Sequence, residues 1–134
     1  MTSIAAGLAM QGKVVYTYSI GNFPTLRCIE QIRNDCAYHD ANVKVVCVGG
    51  GFVYGSLGMS HHATEDIAMM RALPNMTVIN PCDEVSTKWA IFEAAIINGP
   101  VYIRLGRSKV PDVYETSDKF ELGKGKVVRE GTDV

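Results

Sequence analysis

Short apolar runs alternate along this chain with segments of helical periodicity. The apolar runs cover residues 14–18, 43–48, 77–80 and 101–105, and they contain many β-branched residues, as buried strands do. Helical patterns lie between them, which is typical of a parallel sheet with helices on both faces. The sequence therefore predicts an α/β fold, a three-layer sandwich with a mostly parallel, doubly wound sheet and right-handed crossovers.

Local signals mark the first two predicted helices and the end of the chain. Residues 2–10 form the first helix, which Gly12 closes. The second helix has Pro24 in its first turn and extends to about residues 35–38. Towards the C-terminus the pattern loosens, and residues 120–128 are predicted to form a small hairpin or an edge strand.

The third and fourth helices carry clearer start and stop signals. Thr64 is predicted to cap the third helix, which ends at Pro74. Asp83 is predicted to cap the fourth, which ends at Gly99. One face of this fourth helix is apolar, and it carries Val85, Trp89, Phe92 and Ile96.

The composition is that of a globular protein, with one domain expected over residues 1–134. Hydrophobic residues make up 47% of the chain and charged residues 20%. The net charge of -1 gives no reason to expect nucleic acid or an anionic membrane as a partner. The 4 cysteines lie in or beside apolar runs without a Cys-x-x-Cys pair, so buried free thiols and a cytoplasmic location are expected.

Three loops are predicted to meet at the carboxyl edge of the sheet, where open parallel sheets bind ligands. They cover residues 19–24, 49–62 and 106–109. Their candidate side chains are one aromatic ring, two adjacent histidines and one arginine: Phe23, His61, His62 and Arg107. Adjacent histidines on a helix point in different directions, so a shared metal site is not expected. From the residues alone, Phe23 also fits a cap on the core, Arg107 a surface ion pair and His62 a solvated loop position.

Four motifs follow one another in a specific order. They are residues 4–9 (IAAGLA), 30–34 (EQIRN), 58–79 (GMSHHATEDIAMMRALPNMTVI) and 99–111 (GPVYIRLGRSKVP). Together they resemble the pyrimidine-binding (central) domain of transketolases, especially the C-terminal subunit of transketolases that are split into two chains. The resemblance implies the thiamine diphosphate-binding fold and an enzyme that transfers a two-carbon ketol unit between sugar phosphates.

By this resemblance, three residues near the first loop contact the cofactor. Phe23 matches the aromatic residue that stacks on the aminopyrimidine ring. Ile20 and Leu26 stand at two positions where the family has further aromatic residues. They are expected to line an apolar pocket with fewer rings than in the family.

The resemblance assigns the substrate side to one histidine and two arginines. His61 matches the catalytic histidine that hydrogen-bonds oxygens of the donor substrate. Arg107 matches the phosphate-binding arginine, and Arg104 is expected to help it. Leu57 stands in place of an acidic residue that recognises a sugar hydroxyl in the family, which predicts an altered donor sugar or a lost donor site.

The resemblance also implies thiamine diphosphate with magnesium, shared with a partner chain. In the family a separate domain binds the diphosphate and the metal, so a diphosphate-binding transketolase subunit is the expected partner. The activating glutamate would precede Met1, because neither Glu30 nor Glu65 matches it. The chain is thus expected to be trimmed at both ends, with residues 112–134 leading to an absent C-terminal domain, and to be inactive alone. A homodimer through this same domain is also expected.

Two other functions remain open from the sequence. The unmatched glutamate, Leu57 and the reduced aromatic set also fit a non-catalytic module that dimerises through its first helix and a sheet edge. Residues 71–76 (RALPNM) fit a deoxyxylulose phosphate synthase-like component nearly as well as a transketolase.

Overall fold

The sheet has the predicted parallel arrangement. The computed structural model describes residues 1–132, whose strands are β1 (Val15–Ile20), β2 (Val43–Val48), β3 (Thr77–Ile79) and β4 (Val101–Leu105). They lie in the order β1-β2-β4-β3, and every neighbouring pair is parallel. The two strands with the most continuous apolar sequence, β2 and β4, therefore occupy the centre, where a strand is covered on both faces.

Four helices connect or flank the strands: α1 (Thr2–Met10), α2 (Ile29–Gln31), α3 (Asp66–Ala72) and α4 (Glu84–Ile96). The predicted second helix is present but irregular, because a 3₁₀ turn at Leu26–Cys28 precedes α2 and a π-helix at Ile32–Ala37 follows it. Pro24 lies in the turn before this segment, not in the first turn of a helix as predicted.

The core is divided between the two faces of the sheet, which confirms the three-layer prediction. Successive side chains of a strand point to opposite faces, so each strand contributes to both halves of the core. On one face the strands meet α1, the π-helical segment and α3 through Ala5, Ala6, Ile32, Val43, Val45, Met70 and Tyr102. On the other they meet α4 through Val46, Ile79, Ala90, Ala94, Val101 and Ile103.

Helix α4 begins as predicted, and only part of its predicted apolar face packs on the sheet. Asp83 caps it in a capping box with Ser86. The helix contacts the sheet through small residues, Ala90 and Ala94, which allow a close approach. Of the predicted apolar face, Trp89 packs partly buried against the same cluster, whereas Phe92 and Ile96 are 66% and 77% exposed.

The start of α3 also differs from the prediction. Glu65 occupies the N-cap position without a side-chain cap, and the Thr64 hydroxyl donates to the Glu65 carboxylate at 2.8 Å. Thr64 as the cap was therefore wrong. Leu73 ends the helix in an extended conformation, as a residue before a proline does.

The predicted hairpin or edge strand at residues 120–128 is absent from the part of the chain that the structure describes. Phe120 instead packs on α4, with its ring centroid 5.3 Å from that of Trp89 and 4.8 Å from that of Tyr114. Aromatic packing onto a helix thus replaces strand pairing in this segment.

All four cysteines are free, as predicted. Cys36 and Cys47 are buried, whereas Cys82 is exposed, which corrects the expectation of uniform burial. Burial raises the pKa of the Cys36 thiol to about 11, and Asp35 adds to the effect. Within residues 1–132 no helix is both long and apolar enough to cross a bilayer.

Candidate functional site

The first loop brings Phe23 against His61. Their ring centroids are 5.0 Å apart, and the Asn22 side-chain amide donates to the Ser60 carbonyl at 3.3 Å. Gly21 has a φ of 30°, and a Cβ there would overlap the His61 carbonyl. Glycine at this position therefore allows the two loops to touch.

His61 is fixed on its other side by Ser60 and Tyr54. The Ser60 hydroxyl lies 2.9 Å from His61 Nδ1. The centroid of the Tyr54 ring is 5.9 Å from that of His61, and the guanidinium carbon of Arg107 lies 4.9 Å from the Tyr54 centroid. Phe23, His61 and Arg107 are thus brought to one surface, with Tyr54 completing the row.

Tyr54 was not predicted as a site residue. It is nearly fully buried, and its hydroxyl donates to the Val48 carbonyl at 3.2 Å. A Cβ at Gly49, whose φ is 81°, would overlap the Tyr54 ring. Burial raises the pKa of the Tyr54 hydroxyl, although the charge of Arg107 acts in the opposite direction. The available sequence signal was an aromatic residue soon after three glycines in a ligand-edge loop.

The two further apolar positions lie at the same loop. Ile20 ends β1 and is half-buried, whereas Leu26 begins the 3₁₀ turn and is exposed. The guanidinium carbon of Arg27, another residue not predicted, lies 4.3 Å from the Phe23 ring centroid. A cation over an aromatic face adds attraction and restricts the ring's orientation.

Arg104 is mostly buried and pairs with Asp66. Its Nε donates to the Asp66 carboxylate at 2.7 Å, and Tyr102 donates to the same oxygen at 2.6 Å. Burial is the main cause of a raised pKa for the Tyr102 hydroxyl. Arg104 is thus held by Asp66 while Arg107 lies over the Tyr54 ring, and the expected shared role of the two arginines stays a prediction.

The neighbouring loop residues have mainly structural contacts. His62 lies with its Nε2 3.0 Å from the Gly55 carbonyl and packs edge-on against Phe52. His62 is only partly buried, and Phe52 is itself exposed, so the solvated loop position stays a prediction. Leu57 lies in a 3₁₀ turn, Gly55–Leu57, with its side chain exposed.

A cleft of about 420 Å³ lies between the end of β4 and the start of α4. Asn80, Arg104, Ser108 and Lys109 are among its lining residues, whereas the four residues of the row are not. Among residues 1–132, no group of three or more His, Cys, Asp or Glu residues is arranged to hold a metal ion.

This arrangement defines the class of the protein. A parallel sheet with helices on both faces presents an aromatic ring, an imidazole and a guanidinium at the carboxyl ends of its strands, where α/β proteins bind ligands. Residues 1–113 match the family described as "Transketolase, pyrimidine binding domain". The chain belongs to this family, which confirms the resemblance and the fold found from sequence.

Individual relatives agree with this assignment. The chain is 43% identical over 132 residues to one subunit of the apulose-4-phosphate transketolase of Phocaeicola vulgatus, covering 98% of this chain and 42% of that protein. It is 45% identical over 136 residues to "Putative transketolase C-terminal section" of Methanocaldococcus jannaschii, covering 100% of this chain and 43% of that protein. The chain therefore spans less than half the length of these relatives.

A solved structure described as "Split gene transketolase, inactive beta4 tetramer" is also similar. It aligns with a TM-score of 0.85 and 44% sequence identity, over 96% of this chain and 40% of that one. The similarity thus extends from sequence motifs to the arrangement of the backbone.

Proposed function

We propose that this chain is the pyrimidine-binding part of a thiamine diphosphate-dependent, transketolase-like enzyme that transfers a two-carbon ketol unit between sugar phosphates. The observation that carries the proposal is the unbroken row of contacts from Phe23 through His61 and Tyr54 to Arg107. Phe23 suits a flat heterocycle, His61 a reacting oxygen and Arg107 a phosphate. The row also lies at the edge of the sheet where such ligands bind.

The first loop fits the ring half of thiamine diphosphate. Phe23 offers an aromatic surface of fixed orientation, and Ile20 and Leu26 add apolar side chains around it. When bound, the coenzyme supplies the electron sink needed to break and form a bond between two carbons. We assign the diphosphate and magnesium to a partner subunit, so that the two chains share the cofactor.

His61 and Arg107 have complementary roles in this proposal. Because the Ser60 hydroxyl hydrogen-bonds Nδ1, His61 has Nε2 left to bind a donor oxygen and to hold or release a proton there. Arg107 pairs with no carboxylate of residues 1–132 and rests on the Tyr54 ring, which leaves its N–H groups for a phosphate.

We propose that the substrates are phosphorylated sugars with an unusual donor. A relative named for apulose-4-phosphate supports this class of substrate. The exposed Leu57 offers no hydrogen bond where a carboxylate would recognise a hydroxyl, so the donor is expected to lack or reposition that hydroxyl.

Self-association through α1 is a further part of the proposal. Helix α1 contains no charged residue, and on its exposed side Ile4 is 70% exposed beside Leu8 and Met10. An exposed, uncharged apolar surface of this kind favours a protein contact. The homodimer, like a cytoplasmic location, remains a prediction. Self-association without cofactor binding would instead fit the non-catalytic module, and the solved relative described as an inactive tetramer makes that alternative worth testing.

The test uses the full-length natural protein and its cognate diphosphate-binding subunit. Adding thiamine diphosphate and magnesium to the mixture should produce a circular dichroism change that neither subunit gives alone. Phe23→Ala should weaken the cofactor response, whereas Phe92→Ala, an equal truncation at an exposed position on α4, should not. If the mixture gives no cofactor-dependent change, the proposed function is wrong. A stable homodimer unaffected by both cofactor and partner would then support the non-catalytic module.

A further inference from the structure

A cluster of three polar side chains lies behind the site: Asp66, Tyr102 and Arg104. The Asp66 side chain is 1% exposed and that of Arg104 is 22% exposed. Both Arg104 Nε and the Tyr102 hydroxyl donate to the same Asp66 oxygen, at 2.7 Å and 2.6 Å. The other oxygen, Oδ1, is buried without a hydrogen-bond partner among the residues that the structure describes. The buried carboxylate therefore depends on Arg104 for charge compensation.

The Arg104 guanidinium also supports the backbone next to His61. Its Nη2 donates to the Ala63 carbonyl at 3.4 Å. Ala63 and Gly51 in turn exchange two backbone hydrogen bonds, of 3.0 Å and 2.6 Å. A Cβ at Gly50 would overlap the guanidinium, so this loop lies directly on the arginine.

The position of His61 follows from these contacts. His61 is two residues before Ala63, and the turn that carries it (residues 58–63) closes with the His61 amide donating to the Gly58 carbonyl at 3.0 Å. The opposite side of the turn packs on Gly21 and the Phe23 ring. The His61 turn is thus held between the first loop and the Arg104 cluster.

We propose that Arg104 and Asp66 are positioning residues that set the place of the His61 ring, and that Arg104 is not a phosphate ligand. The Arg104 guanidinium is bound through Nε to a buried carboxylate and lies against the Gly50 backbone, whereas Arg107 pairs with no carboxylate of residues 1–132 and rests on the Tyr54 ring. The consequence for catalysis rests on the proposed function. The placement of the His61 ring can be measured whether or not the proposed function is correct.

The test measures the imidazole NMR resonances of the three histidines in the full-length protein. Aromatic rings near His61 shift its resonances, so displacement from Phe23 and Tyr54 should move them towards the values of free histidine. Arg104→Gln removes the ion pair, and Arg71→Gln, at an exposed arginine of α3, is the matched control. His39 is the internal reference, because it precedes β2 at the opposite edge of the sheet.

A second variant tests the same placement with both charges retained. Gly50→Ala adds a methyl group where the guanidinium lies, and the φ of Gly50 is outside the left-handed region. We expect the His61 resonances to move in Arg104→Gln and in Gly50→Ala, while those of His39 stay. If Arg104→Gln does not fold, Gly50→Ala decides. Unchanged His61 resonances in a folded variant would overturn the proposal.

Inorganic phosphate separates the roles of the two arginines. Arg107→Gln should weaken phosphate binding by about tenfold, which corresponds to the loss of one charge-assisted hydrogen bond. Arg104→Gln should leave this affinity unchanged, and an equal loss in both variants would refute the positioning role. If phosphate binds neither to the parent protein nor to either variant, the proposed function loses its phosphate site. The histidine resonances still decide whether Arg104 sets the place of the His61 ring.

The assembled enzyme gives an independent kinetic readout. A positioning role predicts that Gly50→Ala lowers kcat with little change in KM, because the phosphate contact is retained. A rise in KM alone would instead identify Arg104 as a substrate ligand.

Discussion

Replacing Asp83 with alanine should release two parts of the structure at once. One carboxylate oxygen accepts the Ser86 N–H at 2.8 Å and caps α4. The other accepts the backbone N–H groups of Val113 and Tyr114 at 2.8 Å and 2.9 Å. Asp83 is buried, so its loss would leave donors unpaired at the helix start and in the C-terminal segment.

The expected loss of stability can be added from these contacts. A lost N-cap costs about 1 kcal/mol, and each hydrogen bond to a charged acceptor contributes about 1.5 kcal/mol. The Asp83→Ala protein should therefore lose about 3–5 kcal/mol of unfolding free energy, within the limits of additivity. Urea denaturation at pH 7 measures this loss, with exposed Asp112→Ala as the control, expected within about 0.5 kcal/mol of the parent.

Two further measurements make the prediction specific. Trp89 is the only tryptophan and packs on Phe120, so its fluorescence should change at lower urea in Asp83→Ala as the C-terminal segment detaches. Burial disfavours the Asp83 carboxylate, but its hydrogen bonds outweigh this and lower the pKa from 3.8 to about 2. The stabilisation is therefore complete above pH 3.8 and is lost as the pH falls through about 2. A loss below about 1 kcal/mol, or an identical acid profile in Asp83→Ala, would refute this reasoning.

Three other substitutions test contacts elsewhere in the fold. Tyr54→Phe should cost about 1 kcal/mol of unfolding free energy through the lost hydrogen bond to Val48. Tyr54→Ala also removes the ring and should cost about 3–5 kcal/mol. Calorimetry on both variants measures the two losses. Gly49→Ala should cost about 2–4 kcal/mol, because the methyl group meets the Tyr54 ring at a φ of 81°, and an unchanged urea midpoint would contradict it. Burial lowers the pKa of Lys44 to about 8, although Asp40 opposes the shift, so the unfolded chain binds more protons between pH 8 and 10.5. The unfolding free energy should therefore rise from pH 8 to pH 10.5. Urea midpoints measured at these two pH values should show a smaller rise in Lys44→Met than in the parent protein.

Local sequence determined the elements of the fold. Strand β2 was identified with its observed bounds because a run rich in β-branched residues carries its own signal. The cap at Asp83 was equally local, since the carboxylate and the amide it accepts are three residues apart. The placement of Phe23, His61 and Arg107 on one surface also followed, because parallel strands bring their carboxyl-end loops together.

Only the tertiary structure decided which partner each side chain has. Arg104 was grouped with Arg107 because they are close in sequence, yet its partner Asp66 lies 38 residues away on another element. Tyr54 joins the site because it fits against Gly49, a contact that no periodic pattern indicates. Helix α4 buries Ala90 and Ala94 against the sheet with Trp89 partly buried beside them, while Phe92 stays exposed, because the distance between helix and sheet selects the side chains that fit. Sequence periodicity indicates whether a segment is a strand or a helix and which of its faces is apolar. The order of the strands and the space between the layers determine which distant side chains meet.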